Sequence, residues 1–518
     1  MHKPLYVIAA LGAISFSSFA QSDGNEVFIK QLNGANFAKA EQGTTEKYSQ
    51  GVVQNSKINI FQQGDANEAR VDQVVSQDII SSNNAAVLSQ KGNGNGGSIT
   101  QGDQSTIGNT ATLTQRGNDN YGQIDQGYDG YSDNSIATIT QEGNSNTSNI
   151  ISGGYASGGL GNTGISTQQG DDNVSSIRQS VFSSADLNTA TITQKGNNNQ
   201  GYITQSENFG YYEFWVEENT ATLTQQGNNN NGSIIQGYDD GVFSDDGSDA
   251  TNPYNVIARY NVATLSQEGD DNQALISQGY EGIASDNTAT IDQRGSNNEA
   301  LVQQGGGTFG ADIAGAVANE ATLSQEGNNQ MATINQGFFG GGDFNIARIN
   351  QKGSSNEGNI NQGSYGIAIG NMATLAQDGE GNYTSIVQGS GGNSEEDGLV
   401  IGNLARVAQR GDYNAGFIFQ GEGADAQNNT ATLTQEGNNN EANIFQGAES
   451  VYYTNVDGAV VSLDLAGTAT YASEAIISQQ GNDHYATAIQ VGSDNQINIE
   501  QSGTGSYAVV SQGVPLSY

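Results

Sequence analysis

The chain has 518 residues, 34% of them hydrophobic, with 71 glycines, no cysteine and a formal net charge of -39 from 55 acidic and 16 basic side chains. That acidity argues against nucleic acid or an anionic membrane as a partner, because phosphate binding needs clustered Lys and Arg, and the lack of cysteine excludes disulfides and thiolate metal sites. A thick globular core is out of reach at this polarity, whereas a stacked array needs only a thin interior and satisfies its backbone groups from rung to rung.

In chain order, Lys3, an apolar run from Leu5 to Phe16 and the small residues Ser18 and Ala20 around Phe19 read as a secretory signal over residues 1–20. The spacing predicts cleavage after Ala20 and an exported chain. No later stretch approaches the roughly 20 apolar residues that a membrane-spanning helix needs. Residues 21–50 carry Gln31, Asn36, Ala38, Ala40 and Gln42 at the spacing that follows, but Asn33 stands where glycine is expected. This segment reads as a degenerate first rung or a secretion-targeting segment.

Residues 51–518 form one repeat array with clear copies at Gln62, Gln90, Gln115, Gln141, Gln168, Gln194, Gln225, Gln267, Gln293, Gln325, Gln351, Gln377, Gln409, Gln435 and Gln479. Within a copy, glycine falls two residues later, asparagine usually five, a small residue seven, usually Ile or Val nine, and glutamine usually eleven; after Gln141 the closing position is Ser152. In the copy at Gln115, Ala111, Leu113 and Gln115 share one parity, and Asn120, Gly122, Ile124 and Gln126 share one parity after the turn, as two strands with a common buried face require. Gly117 and Asn118-Asp119-Asn120 supply the reversal. The predicted fold class is all-β, a cross-β solenoid of stacked strand-turn-strand rungs. The same frame turns Gln194, Gly196 and Asn199 inward, and likewise Gln267, Gly269 and Asn272, then Gln351, Gly353 and Asn356, and finally Gln435, Gly437, Asn440 and Gln446. Stacked amides bond along such a column; buried without partners they would be costly.

The motif Asn-x-Ala-x-(Leu/Ile)-x-Gln, as in Asn188 to Gln194 and Asn429 to Gln435, opens the first strand, so both strands use one half-unit of eleven residues. Toward the C-terminus that half-unit is bare, with Gln479, Gln490, Gln501 and Gln512 spaced by eleven. Elsewhere the commonest period is 26, with inserts at about 206–218, 238–260, 306–318, 390–402 and 448–472, all between rungs. They hold Tyr211, Tyr212, Phe214 and Trp215, and Val451 to Leu465 around Asp457-Gly458 reads as a hairpin.

The residue after each first glutamine points outward. From Glu268 through Arg294, Glu326, Lys352, Asp378 and Arg410 to Glu436 its charge alternates in sign. Unlike charges directly opposite are mildly favourable and like charges unfavourable, so the alternation predicts consecutive in-register stacking.

The spacing Gln-x-Gly-x-x-Asn-x-Ala-x-x-x-Gln, repeated from about Gln62 to Gln512, resembles the curlin repeat of the major subunit of curli, the bacterial extracellular amyloid fibre. This chain departs from it in its longer period, its many rungs, and Gln330 and His484 in place of asparagine. The resemblance implies a subunit secreted unfolded through a dedicated outer-membrane pore, met by a nucleator at the cell surface, and polymerised with itself into biofilm matrix fibres that serve adhesion and aggregation, without a cofactor.

Catalysis needs convergent titratable groups, and this chain offers His2, His484 and carboxylates spread over loops. His484 fits as a ladder substitute for asparagine. Acidic turns such as Asp171-Asp172 and Asp270-Asp271 could hold Ca²⁺, yet the glycine-rich nonapeptide of calcium-binding β-rolls is missing. The alternative function is that of a monomeric secreted solenoid, ice-binding or adhesive, suggested by outward pairs such as Thr112/Thr114, Thr191/Thr193 and Thr432/Thr434. Against it stand Thr290/Asp292, Arg348/Asn350 and Arg406/Ala408 in the same columns.

Overall fold

Alternation written in the sequence becomes alternation of burial. In the strand Thr110–Arg116 the residues Ala111, Leu113 and Gln115 are each 0% exposed, while the threonines between them face solvent. β-branched residues suit that wet pleated surface. The computed structural model describes residues 14–15 and 24–513 with interruptions, the longest at 45–51, 209–214, 240–256 and 391–398. Most of the expected signal, the aromatics Tyr211, Tyr212 and Phe214 and the turn Asp457-Gly458 lie outside the described residues.

The fold is an all-β solenoid; among the described residues there is no helix. It divides into two units, residues 1–260 and 261–518. In the first unit, a first sheet runs in chain order from Glu26–Leu32 through Lys57–Gln63 and its successors to Thr220–Gln226, every neighbour parallel. A second sheet runs from Phe37–Thr44 to Asn231–Asp239 in the same way. In the second unit the corresponding sheets run from Val262–Glu268 to Gln496–Thr504 and from Gln273–Tyr280 to Tyr507–Gln512. Each strand pairs with the next rung's equivalent, so the sheets are open ribbons and not a barrel.

The rung is three-sided, which corrects the two-strand expectation. Between the second strand of one rung and the first strand of the next lies a short third strand, such as Tyr131–Asp133, which pairs with Thr106–Ile107 and with Gly158–Leu160. In the second unit Gly341–Asp343 does the same between Gly315–Val317 and Ile367–Ile369. Two or three residues are too few to show a period, which is why the sequence hides them.

The interior is one residue layer thick on each side. Leu113 and Ile124 are 0% exposed, and a Cβ built on Gly122 would meet Leu113 Cδ1 at 2.5 Å, so the position seven after glutamine must stay small where leucine leans across. Inserts leave the ladders intact. Ser450–Thr454 and Val460–Asp464 form an antiparallel hairpin with Tyr452 opposite Ser462, while Glu441–Ala448 before the insert still pairs with Tyr485–Gln490 after it. The blurred N-terminal segment is a rung, with Glu26–Leu32 on Lys57–Gln63 and Phe37–Thr44 on Glu68–Val75. Asn33 takes φ 66° at its turn, and Ile14–Ser15 pair with Ala38–Lys39.

Candidate self-assembly ladders

Glutamine at the end of each first strand points into the rung and donates to its successor. Gln115 Nε2 lies 2.9 Å from Gln141 Oε1, and the same contact joins Gln194 to Gln225 at 2.9 Å, Gln267 to Gln293 at 3.0 Å, Gln351 to Gln377 at 2.8 Å and Gln435 to Gln479 at 2.9 Å. Gln115 Nε2 also lies 3.1 Å from Asn120 O of its own rung and 2.9 Å from Gly96 O of the preceding one. Gln126 and Gln446 belong to a second column at the end of the second strands, where Gln101 donates to Gln126 at 2.9 Å and Gln446 to Gln490 at 2.7 Å. These amides are buried and so replace water with one another.

Asparagine runs the other way. Asn120 Nδ2 donates back to Asn95 Oδ1 at 3.0 Å and forward to Gly143 O at 2.8 Å. Asn199 and Asn440 repeat both contacts, and Asn272 and Asn356 reach forward to Gly295 O and Gly379 O. Gln330 keeps the forward contact, to Gly353 O at 3.0 Å. His484 Nδ1 accepts the Ser506 N–H at 3.1 Å and its Nε2 lies 3.1 Å from Gln480 O, so the proton sits on Nε2.

The glycines do not belong to the interior. Gly117, Gly196, Gly269, Gly353 and Gly437 sit at the turn and are partly or fully exposed. Gly117 has φ 117°, and a Cβ on it would lie 1.9 Å from Gly143 O of the next rung. Both backbone freedom and stacking distance therefore demand glycine there.

The outward charge column is in register: Glu268 opposite Arg294, then Glu326, Lys352, Asp378, Arg410 and Glu436. Arg294 lies 3.8 Å from Glu268 and 2.9 Å from Asp292 on its own strand, Lys352 3.2 Å from Glu326, and Arg410 3.2 Å from Glu436. Such exposed pairs select register more than they stabilise.

Residues 284–312, 402–437 and 472–512 match the curlin associated repeat family. These three segments are similar to curlin repeats. No curated protein is similar to it at a significant level. The matched residues include first and second strands of the second unit, from Thr288–Ser296 with Glu299–Gly306 to Gln496–Thr504 with Tyr507–Gln512.

Several ladder residues escaped the sequence reading. Asn188, read in the sequence only as the start of a strand motif, and Asn219 belong to a second asparagine column whose amides reach the third strand's carbonyls, at Val216 O (3.1 Å) and Ala258 O (2.7 Å). Asp133, Asp186, Asp343 and Asp425 each accept a backbone N–H from the preceding rung's third strand, from Ile107, Leu160, Val317 and Leu399 at 2.8 to 3.1 Å. Burial pushes the Asp133 and Asp186 carboxyls above the ordinary range, and those N–H bonds oppose it. An aspartate two residues before the asparagine, as in Asp186/Asn188 and Asp343/Asn345, was the available signal; Ser135 takes the asparagine's place after Asp133, and Asp425 stands four before Asn429. Asp171, considered for Ca²⁺, accepts the Asn144 N–H at 2.8 Å and so takes part in a turn ladder. Among the described residues no cluster of three or more His or acidic side chains is placed to hold a metal, and no helix is long and apolar enough to cross a membrane.

Proposed function

We propose that this chain is a secreted structural subunit that polymerises head to tail into curli-like amyloid fibres of a biofilm matrix, for adhesion and aggregation. The observation that supports this most is the direction of the glutamine column. Every donor in it points toward the next rung, and Gln31 Oε1, in the first rung and buried, accepts no hydrogen bond. Among the described residues nothing pairs with the outer edges of Glu26–Leu32, Gln496–Thr504 or Tyr507–Gln512. Unpaired strand edges template further strands, and a parallel ladder with directional amides accepts another copy only by translation along the stack. Export through an outer-membrane pore and nucleation at the cell surface follow from the family resemblance and complete the proposal, as does the absence of a catalytic role.

Electron microscopy of the purified mature chain, left to assemble without seed, tests it, with diffraction from oriented material. Fibres with a meridional reflection near 4.7 Å are expected. A chain that stays a soluble monomer and binds no amyloid dye would refute the proposal.

A further inference from the structure

The outward side of the first sheet in residues 1–260 has a property that the strand pairings bring into view. Five consecutive strands beginning at Thr110, Ile136, Thr163, Thr189 and Thr220 read TATLTQR, IATITQE, TGISTQQ, TATITQK and TATLTQQ. Their first, third and fifth residues face solvent and lie in register across all five. These fifteen positions hold thirteen threonines and two isoleucines, and no charge.

β-propensity alone does not account for this. In the same rungs the second sheet offers fifteen equivalent outward positions, and its strands YGQIDQGY, TSNIISGG, VSSIRQSV, QGYITQSEN and NGSIIQGYD place threonine at two of them. In residues 261–518 the columns of the first sheet are interrupted by Asp292, Glu320, Arg348 and Arg406, and a shallow depression of about 410 Å³ opens over Ala376 and Ala408. The breaks named in the sequence fall in the second unit, and Glu26, Lys30 and Lys57 break the same columns in the earliest rungs of the first, so the uninterrupted grid is confined to these five rungs.

Strand geometry spaces the grid at about 4.8 Å between rungs and about 6.6 Å along each strand. The inter-rung spacing is close to the shorter oxygen repeat on the prism face of ice. Threonine offers a hydroxyl that joins a water lattice and a methyl that orders the water beside it, and its branched Cβ restricts χ1. The molecule carries a formal charge of -39, and Arg116, Glu142 and Lys195 lie outward at the edge of this face, so the fifteen charge-free positions between them and the strand starts are complementary to an uncharged periodic partner and not to an ionic one.

We propose that this threonine grid binds ice. The proposal goes beyond the fibre reading and holds for the single chain; polymerisation would repeat the grid along the fibre. The test is inhibition of ice recrystallisation by the full chain, together with adsorption of labelled chain to a growing ice hemisphere. Thr191→Lys, in the middle column of the fourth strand of the grid, is expected to abolish both, and Thr432→Lys, at the same outward position in the second unit, to leave both unchanged. Thr191→Val, which keeps the methyls and the β-branch, separates lost fold from lost surface and should retain part of the activity. Absence of inhibition by the unaltered chain, or equal inhibition by the two lysine variants, overturns the proposal. So does a Thr191→Lys chain that still binds ice while its fibres no longer bundle, which would assign the face to contacts between copies.

Discussion

Ser152 lies directly opposite Gln179 in the second glutamine column, and Gln179 Oε1, in a side chain 0% exposed, receives no donor. Rung by rung the column donates forward, as Gln101 does to Gln126, and Ser152 is too short to continue it. Its own hydroxyl is buried and also unpartnered.

Ser152→Gln should therefore stabilise the first unit. The neighbouring rungs already accommodate glutamine at this position, and an unsatisfied buried acceptor costs about 1 to 3 kcal/mol. The expected outcome is a higher urea midpoint and slower amide exchange in residues 136–181. A lower midpoint would mean that neighbouring side chains have closed over the space.

Gly117→Ala should unfold its surroundings, since the new Cβ would lie 1.9 Å from Gly143 O at a backbone angle of +117°. A destabilisation above about 4 kcal/mol is expected, the range reserved for forced clashes and strain. Gly503 has a similar φ of +102° but nothing within 4 Å of its would-be Cβ. Gly503→Ala strains the last turn but meets no neighbouring atom, so it should destabilise the soluble chain far less than Gly117→Ala while halting growth at one fibre end, because an added copy would bring a carbonyl against that methyl. Growth at the ordinary rate from seeds of this variant would argue against head-to-tail stacking.

Arg294→Glu places three acids in a row with Glu268 and Glu326, which it faces across the ladder. Facing like charges are each unfavourable by roughly 0.2 to 1 kcal/mol. Assembly should slow at low ionic strength and recover in about 1 M salt, where screening shortens the reach of charge to about 3 Å. Unchanged kinetics in low salt would count against the register.

Asp125 is 6% exposed, and burial raises its carboxyl above the ordinary 3.8, with hydrogen bonds from Gln123 and Thr100 opposing the rise. Asp72 is raised likewise by burial, against the pull of Arg70. A carboxyl raised in the fold favours the folded state when protonated, so this contribution is present below pH 3.8 and is lost as pH climbs through the raised value. The fold should resist urea better near its pI of 4.1 than at neutral pH, helped by reduced self-repulsion. Asp125→Asn should raise the midpoint at neutral pH and flatten the pH profile of urea resistance.

Much of this molecule was legible in the sequence because one local pattern recurs. The parity of Ala111, Leu113 and Gln115 states which side is buried, and a constant distance from glutamine to glycine and asparagine states which residues meet, so even the Glu268 to Glu436 column could be read as a register. What needed the folded stack were relations involving atoms of a neighbouring rung: the opposite directions of the glutamine and asparagine ladders, the carbonyl that forbids a side chain at Gly117, and the third ladder through Ser132 and Gly159. The two- and three-residue strands of that ladder carry no period of their own, and amide direction depends on hydrogen bonds that linear spacing does not encode. Likewise each TATLTQ segment is an ordinary strand by itself; placing five in succession on one unbroken face is a property of the tertiary stack, because the order of rungs decides which surface positions become neighbours.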